Sequence, residues 1–258
     1  MEDNKRIVII GSGNLATRLS LALKAAAWNI VQVYSRTECH AMELANRIGC
    51  EYTARLEDVT KEADIYIMSV KDDVVERMAE SLCADRPQTV FIHTAGSVPM
   101  KVFCDKAGHY GVLYPMQSFS KTRDVDFRRI PCFVEASDDT ALRDIEAIAG
   151  SITDTVRSLD SEKRKRLHLA AVFASNLTNH CYRLAERILA DNDLDFSLLL
   201  PLIQETADKV SEMSPHDAQT GPMVRYDTKV MDMQLSLISD ERTRQIYRLM
   251  AESIHSDY

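Results

Sequence analysis

No run of apolar residues in this 258-residue sequence approaches the roughly 18 needed to cross a bilayer, so no membrane span is expected. The segment Met1–Arg6 leads into Ile-Val-Ile-Ile, too short for the apolar part of a secretory leader, and the expected location is the cytoplasm. Cysteine is sparse and scattered. Cys39, Cys50, Cys83, Cys104, Cys132 and Cys181 form no CxxC pair, and none has a histidine at zinc-finger spacing. Neither a disulfide framework nor a metal site is expected. Basic clusters are missing as well: 31 Lys and Arg stand against 39 Asp and Glu, a net charge of −8, whereas duplex binding needs clustered cations to release counterions. Nucleic acid is therefore not an expected partner. With only 8 Gly and 7 Pro, 45% hydrophobic residues and no internal repeat, disordered and fibrous classes are out.

What is present is an alternation. Short β-branched runs, Ile7 to Ile10, Ile30 to Tyr34, Ile65 to Met68, Val90 to His93, Val112 to Tyr114 and Cys132 to Val134, alternate with amphipathic stretches. Such a pattern predicts an α/β domain with a doubly wound, mostly parallel sheet. Near Arg157 the character changes, and the rest reads as helix: one long segment from Asp160 to about Leu189, a second from Phe196 to Met213, and two more from about Arg225. The expected division is 1–157 for a Rossmann-type domain and 158–258 for an all-α domain.

The first strand runs into Gly11-Ser12-Gly13-Asn14-Leu15-Ala16, a GxGxxG fingerprint with Ala in sixth place. Gly11 permits the tight turn, Gly13 lets backbone amides approach a pyrophosphate, and Ala16 allows close packing of helix on strand. The position between a strand and a helix is the context that gives the motif weight. A dinucleotide site follows, with Gly11, Ser12, Gly13, Asn14 and Leu15 as its contacts. After the second strand stands Ser35-Arg36-Thr37, where NAD sites place an acid for the ribose hydroxyls. A guanidinium with two hydroxyls suits a 2′-phosphate, so NADP is expected. A solvated Arg36 with Glu38 on the ribose is the other reading.

Ligands of open α/β sheets lie beyond the carboxyl ends of strands, which adds Val70 and Lys71 after one strand and Thr94, Ala95 and Gly96 after the next. His93 closes that strand as a candidate proton donor or a structural hydrogen-bonding residue. Tyr114 and Gln117 flank Pro115, which is expected to stop the ladder, and are candidates for substrate contact. From Leu167 to Tyr182 there is no charged residue. At about 100° per residue, Leu167, Ala171, Ala174, Leu177, Cys181 and Leu184 form one stripe, and His168, Val172, Ser175, Asn176 and Asn179 another. An uncharged polar stripe predicts burial against a cleft or another polypeptide. His168 and Asn176 are accordingly catalytic candidates and Asn179 a substrate contact; plain interhelical hydrogen bonding is the alternative. Between two later helices, Thr220, Arg225 and Asp227 offer a hydroxyl, a guanidinium and a carboxylate for a polar substrate, or Asp227 caps a helix and pairs with Arg225.

Taken in order, GSGNLA, SRT, HTAGS, YPMQSF, HLAAVFASNLTNH and TGPMVRYD resemble a family of Rossmann-like NADP oxidoreductases, labelled coenzyme F-420-dependent, with a helical C-terminal domain of unknown function. The resemblance spans nearly the whole chain. It implies kinship with pyrroline-5-carboxylate reductase, ketopantoate reductase and the 6-phosphogluconate and β-hydroxyacid dehydrogenases, nicotinamide at an interdomain cleft, and often a dimer. Three departures stand out: Tyr114-Pro115 where the family has His-Pro, Arg225-Tyr226-Asp227 where it has Arg-Gly-Asp, and Val172 one turn before Asn176 where related dehydrogenases carry Lys. The acid of those relatives does not transfer, and His168 is the substitute. Deazaflavin F-420 is possible but not required. The resulting expectation is an NADP-dependent reductase of a small polar carbonyl or imine, with His168 or His93 supplying the proton, Asn176 orienting the substrate, and Arg225 and Thr220 holding it. A sensor or scaffold that binds NADP(H) without turnover is the alternative; a methyltransferase is a weaker third. If the long segment is one helix, a homodimer through the helical domain is expected; a break near Thr178 would favour a monomer.

Overall fold

The computed structural model describes residues 5–84 and 86–258. The expectation of no leader rests partly on residues outside that range. Strands β1 (Arg6–Ile10), β2 (Asn29–Tyr34), β3 (Glu51–Thr53), β4 (Ile65–Met68), β5 (Val90–His93), β6 (His109–Pro115), β7 (Cys132–Ala136) and β8 (Val156–Ser158) form one sheet in the order β3-β2-β1-β4-β5-β6-β7-β8. The chain winds outward from β1 to β3, returns to β4 beside β1, and winds outward again. The loops after β1 and β4 therefore diverge at one edge of the sheet, where such folds open a crevice.

Helices α1 (Asn14–Ala25), α2 (Glu38–Ile48), α3 (Asp72–Leu82) and α4 (Asp139–Ile152) cover the sheet. The two-residue period of the strands sorts their side chains to its two faces. Ile7 and Ile9 of β1 pack with Leu19, Leu23, Leu44 and Ile148, whereas Val8 and Ile10 pack with Tyr66, Met78, Phe91 and Phe103. Burial on both faces is why β1, β4 and β5 read as unbroken apolar runs rather than alternating ones.

All six strands expected from the sequence are present, and two were missed. β3 and β8 have three residues each and are largely exposed, too short to show a pattern. β7 runs antiparallel to β6 because residues 116–131 carry no crossover helix and simply return the chain. Pro115 does not stop the ladder as expected. It pairs with Cys132, and the Met116 N–H donates to the Pro131 carbonyl at 3.0 Å. Proline is tolerated there because the parallel pairing with β5 has already ended at Val112.

Beyond the sheet come α5 (Ser161–Ala171), a π-helical stretch (Val172–Leu177), α6 (Thr178–Ala190), α7 (Leu200–Glu212), α8 (Pro215–Ala218), α9 (Thr228–Ser236) and α10 (Glu241–Ser256). The long segment is thus helical without a break near Thr178, but its turns widen over Val172–Leu177 and the uniform wheel does not hold there. The chain divides into two compact units, residues up to Ala174 and Ser175–Tyr258. No helix among the described residues is long and apolar enough to cross a membrane.

Candidate functional site

The site is built on the turn that follows β1. The Gly11 N–H donates to the Tyr34 carbonyl at 2.8 Å, so the turn starts on the sheet's own hydrogen bonds. Gly11 has φ +118°, and a Cβ there would stand 2.2 Å from the Ser69 carbonyl oxygen; only glycine fits. A Cβ on Gly13 would meet nothing within 4 Å, which marks open space in front of the first amides of α1. That helix has neither a side-chain cap nor an acid in its first turn, and α2, which follows Thr37, also has no side-chain cap. By contrast, Asp138, Asp160, Asp227 and Asp240 cap α4, α5, α9 and α10. The free amides and partial positive charge at the start of α1 suit an anion.

A cavity of about 830 Å³ extends from this turn. The Ser12 hydroxyl donates to Ser35 Oγ at 2.7 Å, tying the glycine turn to the loop after β2. Every residue expected to contact a cofactor, from Gly11 to Leu15, Ser35 to Thr37, Val70, Lys71 and Thr94 to Gly96, lines this one cavity, as do Tyr114, Gln117 and His168. Arg36 is exposed and makes no ion pair among the described residues; its charge is available to a ligand.

Tyr114 and His168 meet at the cavity wall, with Tyr114 Oη and His168 Nδ1 2.9 Å apart and the rings edge to face at 73°. Burial, and Asp72 nearby, raise the Tyr114 pKa against the opposing pull of Arg164, so its hydroxyl keeps its proton at neutral pH. Gly96 lies against the imidazole: a Cβ there would be 2.5 Å from His168 Nδ1.

His93 is corrected. It is wholly buried, accepts from the Ala95 N–H at Nδ1 (3.2 Å), packs on Phe103 and does not line the cavity. Burial, and then Arg164, push its pKa down to about 3, so it is neutral at neutral pH and is not a general acid there. The residues of the second unit are placed by their own surroundings. Asn176 and Asn179 are exposed, as are Thr220 and Arg225. Asp227 caps α9 by accepting from the Val230 N–H at 3.3 Å, which is the capping half of the plainer reading; no ion pair between it and Arg225 is found among the described residues. From Leu167 to Tyr182 no residue is buried within this chain, which leaves of the expected burial only that against another polypeptide or a bound molecule.

Several site residues escaped the sequence reading. His40 and Arg77 also line the cavity; His40 lies in the first turn of α2, one turn after Arg36, a spacing that points to it. Lys121 lines the cavity on a loop that the buried Arg18 holds through the carbonyls of Ser120 and Lys121, both at 2.8 Å. Arg164 sits in the run Lys163-Arg164-Lys165-Arg166, which reads as a solvated face, yet it is 1% exposed. Its guanidinium pairs with Glu135 and donates to the Val98 carbonyl at 2.6 Å. No sequence signal separates it from its neighbours.

A sheet-based dinucleotide crevice followed by helices defines a class, the Rossmann-type oxidoreductases with a helical C-terminal domain. The comparisons agree. Residues 6–96 match the family model described as NADP oxidoreductase, coenzyme F420-dependent, and residues 130–254 match that of a domain of unknown function, DUF2520. A Bacteroides fragilis protein assigned as an NADP oxidoreductase is 46% identical, with 98% of each chain covered and a TM-score of 0.94. The chain belongs to this family. Two more distant structures share the fold: an imine reductase from Myxococcus stipitatus in complex with NADP+, at 14% identity over 97% of this chain and 92% of that one with a TM-score of 0.67, and a pyrroline-5-carboxylate reductase from Coxiella burnetii, at 15% identity over 98% and 97% with a TM-score of 0.60. None of the curated proteins matches the chain.

Proposed function

We propose that this protein is an NADP-dependent reductase of a small polar carbonyl or imine compound. The observation that carries the reading is a single cavity joining an uncapped glycine-turn helix, an exposed Arg36 and a hydrogen-bonded Tyr114–His168 pair. The amides that open α1 hold the pyrophosphate, and Ser35, Arg36 and Thr37, with His40, hold the 2′-phosphate. NADPH, when bound, supplies a hydride to the substrate carbon. The chain's own residues do the rest: Thr94, Ala95 and Gly96 form a small-residue wall, Tyr114 and Gln117 contact the substrate, and His168 is the source of the proton. Deazaflavin F-420 is not required by any residue of the site.

A homodimer through the helical segments belongs to the same reading. In Ser175–Tyr258 only Ile238, Thr243 and Ala251 are buried, while Leu198, Leu202, Leu237 and Leu249 are each more than 60% exposed. So extensive an apolar surface needs covering, and a second copy of the chain supplies the complementary helices.

Following NADPH absorbance in the presence of pyruvate, 2-oxobutyrate, cyclohexanone and 1-pyrroline tests the reading. Oxidation with at least one of these carbonyl or imine compounds is expected. Tight NADPH binding with no turnover on any of them would favour a nucleotide sensor instead.

A further inference from the structure

The hydrogen bond between Tyr114 and His168 has a direction, set by the tautomer and the charge of the imidazole. Four elements fix its position. Tyr114 is the penultimate residue of β6 and 7% exposed. Gly96, in the loop after β5, leaves just enough room for the imidazole. One turn before His168 on α5, Arg164 pairs with Glu135 of β7 and donates to Val98 beyond β5, so the start of α5 is tied to the sheet at two points. Ser161, at the start of that helix, donates its hydroxyl to Glu135 at 2.8 Å.

We propose that Tyr114 is the catalytic residue that hands the proton to the substrate, with His168 as the reserve that restores it. This deepens the reductase reading and rests on it. A phenol has one proton. When His168 is neutral, Tyr114 donates that proton to a bare Nδ1, which leaves the hydrogen on Nε2. When His168 is protonated, Nδ1–H donates to Tyr114 Oη, and the phenol O–H turns to another acceptor in the cavity. Only the second arrangement presents a donor to a substrate at this hydroxyl. The groups that face Tyr114 are Arg164 of α5 and Asp72 of α3, of opposite sign, and neither takes the proton from the phenol.

The step balances. The substrate carbon gains a hydride from NADPH, the reductant, which leaves as NADP+, and the π pair of the C=O or C=N bond moves to the heteroatom. The Tyr114 O–H bond breaks and its proton goes to that heteroatom. The His168 Nδ1–H bond breaks and its proton restores the phenol. His168 ends neutral and is reprotonated by a hydronium ion or buffer acid, so each turnover consumes one proton from the solvent.

Two experiments test this. In ¹⁵N NMR of the histidine-labelled protein, with and without NADPH, neutral His168 is expected as the Nε2–H tautomer with a hydrogen-bonded Nδ1, and the Nδ1 resonance should move to a free position in Tyr114→Phe. An Nδ1–H tautomer, or an unmoved resonance, overturns the proposal. In turnover with the fastest of the four compounds named above, Tyr114→Phe and His168→Gln should each lower kcat by about 10² to 10⁴-fold, with KM and NADPH affinity within about threefold of wild type. Because the two act as a unit, the double variant should fall no further than the worse single one; multiplied losses overturn the proposal. Gly96→Ala gives a second route, since its Cβ displaces the imidazole while Tyr114 and His168 themselves are unchanged, and it should abolish the Nδ1 hydrogen-bond shift. Wild-type protein that oxidises no NADPH sinks the reductase reading and this proposal with it, whereas active wild type with a full-rate Tyr114→Phe sinks the proposal alone.

Discussion

The two compact units bury their apolar residues in opposite ways. In the first, the sheet is sandwiched between two clusters of wholly buried side chains, and Met42 and Tyr52 are the only large apolar residues before α5 that are exposed among those described. In the second, Ser175–Tyr258, almost every large apolar side chain reaches the surface. A shortage of apolar residues in either unit is not the cause, since both contain many Leu, Ile and Met. What differs is the partner each sequence is written for. A parallel sheet finds its covering within its own βα units, whereas these helices present apolar faces that require a further surface.

The largest effect should come from breaking that further surface. Leu237 and Leu249 are 70% and 66% exposed in the chain; the proposed dimer is expected to bury them, and a carboxylate placed there would then be buried without a partner in both copies. Light scattering of the wild type is expected to give twice 29.1 kDa, and Leu237→Asp with Leu249→Asp should return it to the mass of one chain. A wild-type mass of one chain at micromolar concentration would overturn the dimer reading and leave the contrast between the units without a cause.

Inside the first unit the corresponding test is a core truncation. Phe91 is wholly buried and stacks on Tyr66 at 5.1 Å, so Phe91→Ala should cost about 3–5 kcal/mol. Urea unfolding at several protein concentrations is the check. The loss should be the same at each concentration, whereas the destabilisation caused by Leu237→Asp should shrink as the wild-type dimer is diluted away.

How much of this contrast was legible beforehand follows from what each signal depends on. The glycine turn, Arg36 and the six main strands are local features: a steric requirement at Gly11, a charge at a strand end, an unbroken apolar run. Each survives translation into structure because no distant residue is needed to interpret it. The Tyr114–His168 pair joins residues 54 apart in sequence, and both were singled out without any sign that they touch. Arg164 shows the limit most plainly. Its neighbours Lys163 and Lys165 are on the surface in the same basic run, and only the approach of Glu135 and Val98 makes it a buried residue. The faces of the long helix are less legible for a different reason, since the π-helical stretch Val172–Leu177 changes the period on which a helical wheel depends.

A smaller effect isolates the cavity from the core. Arg36 is exposed and makes no ion pair among the described residues, so Arg36→Ala should leave the unfolding midpoint of the free protein unchanged. A charge-assisted hydrogen bond contributes about 1.5 to 3 kcal/mol, so NADPH affinity should fall about 10- to 150-fold, with little change for NADH. Fluorescence titration of both cofactors measures this. Equal wild-type affinities for NADPH and NADH would mean that Arg36 is a solvated loop residue and that Glu38 serves the ribose.

The smallest expected effect tests whether the first unit's stability is set within the chain down to its helix caps. Asp138 opens α4 by accepting from the Thr140 and Ala141 N–H groups at 2.9 and 3.1 Å, with His109 at 3.0 Å on the same oxygen. Partial burial works to raise its pKa, but the hydrogen bonds from Ser137, Ala141, His109 and Thr140 outweigh it and hold the pKa down at about 2. Since the folded value lies below the unfolded one of about 3.9, the stabilisation is fully present above about pH 4 and is lost as pH falls toward 2. Replacement of a capping Asp by Ala typically costs about 1 kcal/mol, and with the carboxylate about a third exposed no more than that is expected here. Asp138→Asn keeps the capping oxygen but not the charge, so its urea midpoint should match wild type more closely at pH 2.5 than at pH 5. Comparing the two proteins cancels every other carboxylate that titrates in that window. A wild-type advantage that persists unchanged to pH 2.5 would show that the cap acts through geometry rather than charge.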